Sequence, residues 1–202
     1  MKRALLVAGI VVVVLAVVWL LLGLNCPRTG LALTSNARAR QWLKNRTEFP
    51  RETDFDASVT LDEFLRLGDD RNRWSTNRAG RVQGWVLDAY YARPEATNCY
   101  CLWRRDVHIA VAKRPDAPRN EQVIVEVTPN LRPIDSATGR ELDSSEQNLK
   151  RMLVGHLVEF EGWLFFDASH VNESENTAAH NRKNWRATAW EIHPVTRIKV
   201  VR

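Results

Sequence analysis

The sequence predicts an all-β fold with minor α content: a five-stranded Greek-key barrel preceded by a transmembrane helix and short N-terminal helices. Three observations support this prediction. Residues 4–24 carry no charged side chain, apolar residues alternate with period two in segments after residue 80, and one helical segment separates the third such segment from the fourth. Without its first 24 residues the chain of 202 keeps 178, enough for one domain with its own core.

The first element is an apolar run of 21 residues, Ala4–Leu24, which follows Lys2 and Arg3. A helix of that length is about 30 Å long, the thickness of the hydrocarbon core of a bilayer. A cleaved signal peptide is the alternative. Its apolar stretch is usually about 7–15 residues long and a small-residue cleavage site follows, which Asn25–Arg28 does not provide. We therefore expect residues 1–24 to be a retained single-pass signal anchor, with the following domain outside the cytoplasm, periplasmic or extracellular.

Residues 25–79 are predicted to be a juxtamembrane linker with short helices. Ala37–Arg46 is a basic stretch that fits one helix. Thr60–Glu63 has the pattern of a capping box ahead of a second helix, which Gly68 would end. The barrel domain is then expected over residues 80–202.

The alternation of apolar and polar residues defines the five strands of that domain. On the second strand Val107, Ile109 and Val111 share one face. A capping box at Ser144–Gln147 begins the helix after the third strand, and Pro194 is expected to mark a bulge or bend in the last. The predicted strands are Arg81–Leu87, Cys101–Lys113, a third around Val123–Val127, Leu157–Asp167 and Arg186–Val201.

Three strands, a helix and two further strands is the order of the OB-fold superfamily, the oligonucleotide- and oligosaccharide-binding barrels. Four segments also resemble a group of uncharacterised bacterial exported proteins that end in a WEIHPVT-type strand. The resemblance implies a binding architecture and no particular ligand or activity. The four segments are Asp106–Ile109, Val125–Pro129, Gly162–Asp167 and Trp190–Thr196.

The candidate site follows from where such barrels usually bind, on the outer face of strands two and three and on the loops beside it. The alternation places Asp106, His108 and Glu126 on that face. The polar loop between strands four and five adds His170 and His180. Glu191 and His193 share the outer face of strand five, beside strand three, and would extend the cluster, although a buried His193 next to Pro194 is an equal alternative.

Three kinds of chemistry fit these residues. Imidazole and carboxylate together suit zinc or manganese, with Asp106, His108, Glu126 and His170 as candidate ligands. A metal-bound water could then attack a phosphodiester or similar bond. Alternatively, Asp106 and His108 form an ion-paired network with Arg104 and Arg186, or the same residues recognise an ordinary ligand. The sequence contains no short His-x-x-x-His pair, so a metal site would be assembled across strands.

The cysteines leave two alternatives open. Cys99 and Cys101 could form a tight disulfide in an oxidising compartment or be two unconnected residues at the entry to a strand. Cys26 lies at the expected membrane boundary.

An apolar patch is predicted on the barrel surface. Trp85, Trp163 and Phe165 lie opposite the core residues of strands one and four, and exposed they would need a partner. We expect the N-terminal helices around Trp42 and Phe64 to cover them.

Nucleic acid is a weak candidate ligand. The formal net charge is +5, but Lys2 and Arg3 supply two of these charges, which leaves +3 for the rest of the chain. Asp106 and Glu126 on the expected face would repel phosphates, whereas single-strand binders present a basic groove with stacking aromatic rings.

The sequence therefore favours a membrane-anchored extracytoplasmic module that binds a protein or a small ligand on the barrel face. A metal-dependent hydrolase that uses the same residues is the alternative, and a scaffold that binds only another protein is a third reading.

Overall fold

The computed structural model describes residues 2–201, without the side chains of residues 2–4, 6, 8 and 22. The chain divides into two compact units. One contains residues 1–42 and 93–105, and the other, which holds the barrel, contains residues 43–92 and 106–202.

The barrel unit is a closed mixed β-barrel of five strands, compatible with an OB-like fold. β1 (Ala79–Tyr91) pairs antiparallel with β2 (Val107–Ala112) and with β5 (Leu157–Phe166). β2 pairs antiparallel with β3 (Val123–Val127), and β5 pairs antiparallel with β6 (Trp190–Val200). The parallel pair of β3 and β6, with Val125 opposite Ile192, closes the barrel. A further strand of only two residues, β4 (Ile134–Asp135), pairs with β6 beside the five barrel strands.

Two strands begin later than predicted. β2 begins at Val107 instead of Cys101, because residues 102–104 form a turn and a bend. β6 begins at Trp190 instead of Arg186, since residues 186–189 belong to the loop that precedes it. The two-residue β4, which adds to β6, was not predicted, because two residues are too few to show the alternation that identifies a strand.

Both predicted capped helices are present in the barrel unit. α3 (Leu61–Leu65) is capped by Thr60, whose hydroxyl accepts a hydrogen bond from the Glu63 amide. α4 (Glu146–Leu153) is capped by Ser145, one residue after the predicted Ser144. Its buried side chains, Leu149 and Leu153, pack into the core between the strands. Gly155 follows with φ of +83°, a conformation that favours glycine.

The predicted irregularity at Pro194 is confirmed. The register between β5 and β6 shifts on both sides of Gly162, and the His193–Pro194 peptide is cis. A Cβ atom on Gly162 would lie 2.3 Å from the Pro194 carbonyl oxygen. The bulge therefore needs glycine at this position, because it brings two backbones into direct contact.

Two residues of the predicted apolar patch, Trp163 and Phe165, are covered by the last residue of α2 (Ser35–Lys44) and by the chain that follows it. The Trp163 indole donates to the Glu48 carbonyl at 2.7 Å, and the Arg46 guanidinium lies 4.8 Å from that ring. Lys44 lies 5.5 Å from the centre of the buried Phe165 ring. Phe64, one of the expected covering residues, is instead part of the barrel core, where it packs against Trp74.

The other unit contains α1 (Lys2–Leu24) and most of α2. The predicted transmembrane span falls partly on residues outside the description. In the part of the chain that the structure describes, no helix has the length and apolarity needed to cross a membrane.

A disulfide in this unit excludes the Cys99–Cys101 bond, one of the two alternatives that the sequence left open. It joins Cys26 to Cys99, with Cα atoms 5.8 Å apart, and Cys101 is a buried free thiol. Cys99 cannot also bond to Cys101, because its sulfur is already joined to Cys26.

Candidate functional site

The polar face of β2 and β3 is buried, which corrects the expectation of an open ligand-binding surface. His108 is 8% exposed, and Asp106 and Glu126 are 2% and 1% exposed. The loop between β5 and β6 covers this face. Its Trp185 ring lies parallel to the His108 ring with centres 6.5 Å apart, and the Ala187 amide donates to the Gln122 carbonyl at 2.7 Å.

Glu126 is the carboxylate around which the buried face is organised. One of its oxygens, Oε1, lies 3.1 Å from His108 Nε2 on the neighbouring strand, where the two residues are directly opposite in the register. Its other oxygen, Oε2, lies 2.9 Å from His193 Nδ1 on β6. Residues of three strands thus meet at one carboxylate, and the parallel pairing of β3 and β6, with Val125 opposite Ile192, brings Glu126 near His193.

A second carboxylate, Glu191, extends the cluster. Its Oε2 lies 3.4 Å from His193 Nδ1, and its Oε1 accepts a hydrogen bond of 2.7 Å from Arg186 Nη1. The Arg186 side chain is fully buried and also donates to the Thr188 carbonyl. The sequence placed Arg186 in a network with Asp106 and His108, whereas in the structure its guanidinium bonds to Glu191. Glu191 and His193 lie beside Glu126, as the extension of that cluster required.

Three side chains in this cluster have the geometry of a cation site. Each of Asp106, Glu126 and His193 places a ligand-type atom within 4.8 Å of those of the other two, and all three are buried. Within the described part of the chain, His193 Nε2 is buried and has no hydrogen-bond partner. We call Asp106, Glu126 and His193 the buried centre.

The electrostatics of the buried centre favour positive charge. Burial lowers the pKa of His193, but the Glu126 carboxylate and hydrogen bonds to Glu126 and Glu191 outweigh burial and raise this pKa to about 10. Burial likewise lowers the pKa of His108, and Glu126 again reverses the direction, so the net shift is upward. Burial raises the pKa of Glu126, but the two histidines and Lys44 hold it well below its usual value.

Lys44 and Asp167 form a further ion pair in the barrel unit. Lys44 Nζ lies 3.3 Å from Asp167 Oδ2, and both side chains are 9% exposed. Burial raises the pKa of Asp167, but the Lys44 charge and the Ser169 hydroxyl lower it more strongly. Neither Lys44 nor Trp185 was recognised from the sequence, because their partners Asp167 and His108 are distant from them along the chain.

The two loop histidines lie outside the buried centre. His170 Nδ1 is 2.8 Å from Glu173 Oε2, and its ring meets the Trp185 ring edge-on. The His180 side chain is 95% exposed and contacts Glu175 only at 3.8 Å. Of the four predicted metal ligands, Asp106 and Glu126 belong to the buried centre, His108 contacts it through Glu126, and His193 supplies the third position instead of His170.

A second buried cluster, not predicted, fixes the same loop to the chain before β1. Asp70 Oδ2 accepts hydrogen bonds from Asn176 Nδ2 at 2.8 Å and from Thr188 Oγ1 at 2.5 Å. The Trp190 indole donates to the Asp70 carbonyl at 2.7 Å. The cover over the buried centre is thus held in place by specific polar contacts as well as by packing.

Comparisons of the chain with protein-family models, with curated proteins and with solved structures found no match.

Proposed function

We propose that this protein is a membrane-attached, extracytoplasmic binding module whose barrel holds a divalent cation, zinc or manganese, at the buried centre. The observation that carries the proposal is the convergence of Asp106, Glu126 and His193 within 4.8 Å in a buried region. Oxygen and imidazole nitrogen donors together are the set that these two ions accept.

The charges around the buried centre support a cation as the ligand. Glu126 and Glu191 already favour a proton on His193, which shows that their field stabilises positive charge at that ring. A divalent cation would experience the same field and would replace that proton, because only neutral imidazole binds a metal. His193 Nε2, buried and without a hydrogen-bond partner among the described residues, is the kind of group that a ligand satisfies.

A metal-free ion network is the competing explanation, and a metal titration separates the two. Full-length protein in detergent is stripped with a chelator, and zinc or manganese is then added. We expect close to one bound ion per chain and an increase in Tm, because a ligand that binds only the folded state stabilises it. Protein that retains no metal and whose Tm is unchanged by both ions would contradict the proposal.

Paired variants locate the bound ion. His193→Gln removes one proposed ligand and is expected to abolish stoichiometric metal binding. His180→Gln makes the same chemical change at a side chain that is 95% exposed and should bind as the unmodified protein does. Equal metal binding by the two variants would place the ion elsewhere.

Membrane attachment and location outside the cytoplasm rest on separate observations. Residues 4–24 contain no charged side chain. The Cys26–Cys99 pair supports an oxidising compartment, since disulfides persist in the periplasm and outside the cell and are rare in the cytosol. An alkaline phosphatase fused to the C-terminus should be active in a bacterial host, because that enzyme needs its own disulfides; an inactive, expressed fusion would argue for the opposite orientation.

No observation favours the hydrolase alternative. A metal-bound water could act only on a substrate that reaches it, and Asp106, Glu126 and His193 are at most 2% exposed. Recognition of a protein or a small ligand on the barrel face, with nucleic acid as an unfavoured ligand, stays a prediction from the sequence.

A further inference from the structure

The segment 99–105, here called the 99–105 loop, exposes an unusual number of apolar side chains. Tyr100, Leu102 and Trp103 are 53%, 58% and 48% exposed. Two arginines, Arg104 and Arg105, follow them directly. An aromatic and apolar tip beside positive charge is the composition of segments that lie at the interface between a bilayer and water.

The 99–105 loop packs against the C-terminal end of α1. The Trp103 and Trp19 rings meet edge-on with centres 5.0 Å apart. At Gly23 the approach is so close that a Cβ atom would lie 3.0 Å from Cys101 Sγ and 3.1 Å from Trp103 Cζ2. Gly23 therefore allows the loop to contact the helix directly.

Polar and covalent contacts hold the loop at the same place. Arg104 Nη1 donates to the carbonyl oxygens of Gly23 and Leu24 at 3.3 and 3.4 Å. These carbonyls belong to the last turn of α1, where backbone acceptors lack partners within the helix. The disulfide between Cys26 and Cys99 ties the first residue of the loop to the chain just after α1.

We propose that the 99–105 loop is an interfacial anchor that inserts Tyr100, Leu102 and Trp103 among the headgroups and upper acyl chains of an anionic bilayer. The proposal rests on the proposed membrane attachment through α1. Continuity is the main argument: α1 exposes apolar side chains along its length, and the loop continues this apolar surface from the helix end. Arg104 and Arg105 add positive charge, which is complementary to the phosphates of anionic lipids.

The proposed position of the loop at the membrane also gives the Cys26–Cys99 disulfide a role. An interfacial segment has to keep a fixed depth relative to the membrane helix, and a covalent link at Cys26 next to the helix end sets that depth. Because the link joins residues 73 positions apart, it holds the loop at the helix end even where other contacts loosen.

The experiment uses full-length protein in vesicles of equal parts phosphatidylcholine and phosphatidylglycerol, prepared with and without acyl chains brominated near the headgroup. Flotation first measures attachment. Bromine then quenches the fluorescence of tryptophans that lie at shallow depth in the bilayer. We expect Trp103→Phe to reduce the fluorescence lost to bromine by about half, with Trp19 accounting for most of the remaining loss. Trp163→Phe, on the barrel, is the matched control and should leave the quenched emission unchanged.

The outcomes separate the loop from the attachment. Protein that floats with the vesicles and shows no Trp103-dependent quenching overturns the anchor and leaves the attachment standing. Protein that does not float overturns both. If the loop instead joins two copies of the chain, Trp103 is not quenched, and the protein sediments as a dimer that Trp103→Ser disrupts; this result also overturns the anchor.

Discussion

At the scale of single residues, Glu126 decides the state of the buried face. It contacts His108 and His193 with its two oxygens, and both imidazoles are held toward their charged form by its carboxylate. Buried ion pairs of this kind add little net stability, because desolvation offsets their attraction, but removal of one partner is costly. The contribution of Glu126 to the free energy of unfolding is therefore best measured by removing its charge.

Glu126→Gln should destabilise the metal-free protein by about 3–5 kcal/mol, because it leaves two buried imidazoles without their counter-charge. Urea unfolding followed by tryptophan fluorescence measures the change. Glu141→Gln is the matched control: its carboxylate is 64% exposed and lies 3.8 Å from Arg132, so a change within about 0.5 kcal/mol is expected. Equal effects of the two substitutions would contradict the proposed importance of Glu126.

Asp167 makes part of the stability dependent on pH. Its pKa is lower in the folded than in the unfolded protein, because the Lys44 charge and Ser169 outweigh burial. The contribution is complete above the unfolded pKa of about 3.9 and is lost as the pH falls through the folded pKa. Unfolding free energies of the unmodified protein and of Asp167→Asn should therefore differ most above about pH 5, and the difference should begin to shrink below about pH 4 and keep shrinking as the pH falls toward the folded pKa. A difference that is constant down to pH 2 would exclude this carboxylate as the source.

At the scale of elements, the presence of the strands and helices could be predicted from the sequence, but the first residues of two strands could not. Alternation identified the strands, and hydrogen-bonding residues identified the starts of α3 and α4, because both signals are local. β2 and β6 begin later than predicted, since the turn at residues 102–104 and the loop before Trp190 interrupt the segments that were expected to be strand. The Cys26–Cys99 pair was not anticipated, because it joins residues 73 positions apart.

The connection between Cys26 and Cys99 is directly testable. Peptide mapping by mass spectrometry without reduction should recover these two residues in one linked pair, with Cys101 modified by a thiol reagent after unfolding. Cys26→Ser should lower the stability of the unit that contains α1 by about 2–4 kcal/mol, the typical effect of losing a long-range disulfide. Cys101→Ser should retain the linked pair. A peptide that links Cys99 to Cys101 would contradict the structure.

At the scale of the whole molecule, charge distribution argues against nucleic acid as the ligand. Part of the net charge of +5 comes from Lys2 and Arg3, and the OB-type face that would track a phosphate backbone is buried and contains Asp106 and Glu126. Full-length protein in detergent should not bind single-stranded DNA in fluorescence anisotropy, even at low salt. Binding that weakens steeply with added salt would reverse this conclusion and direct attention to another basic surface.

The sequence by itself determined the apolar run of residues 4–24, the order of the barrel strands, and the set of polar residues that share one face of β2, β3 and β6. These depend on composition and on a period of two, which are properties of neighbouring residues. Only the tertiary structure decided that this face is buried, that Glu126 meets His193, and that Cys26 bonds to Cys99. Each of these requires closure of the barrel or folding of a loop between residues far apart in the chain, and no local pattern encodes such a contact.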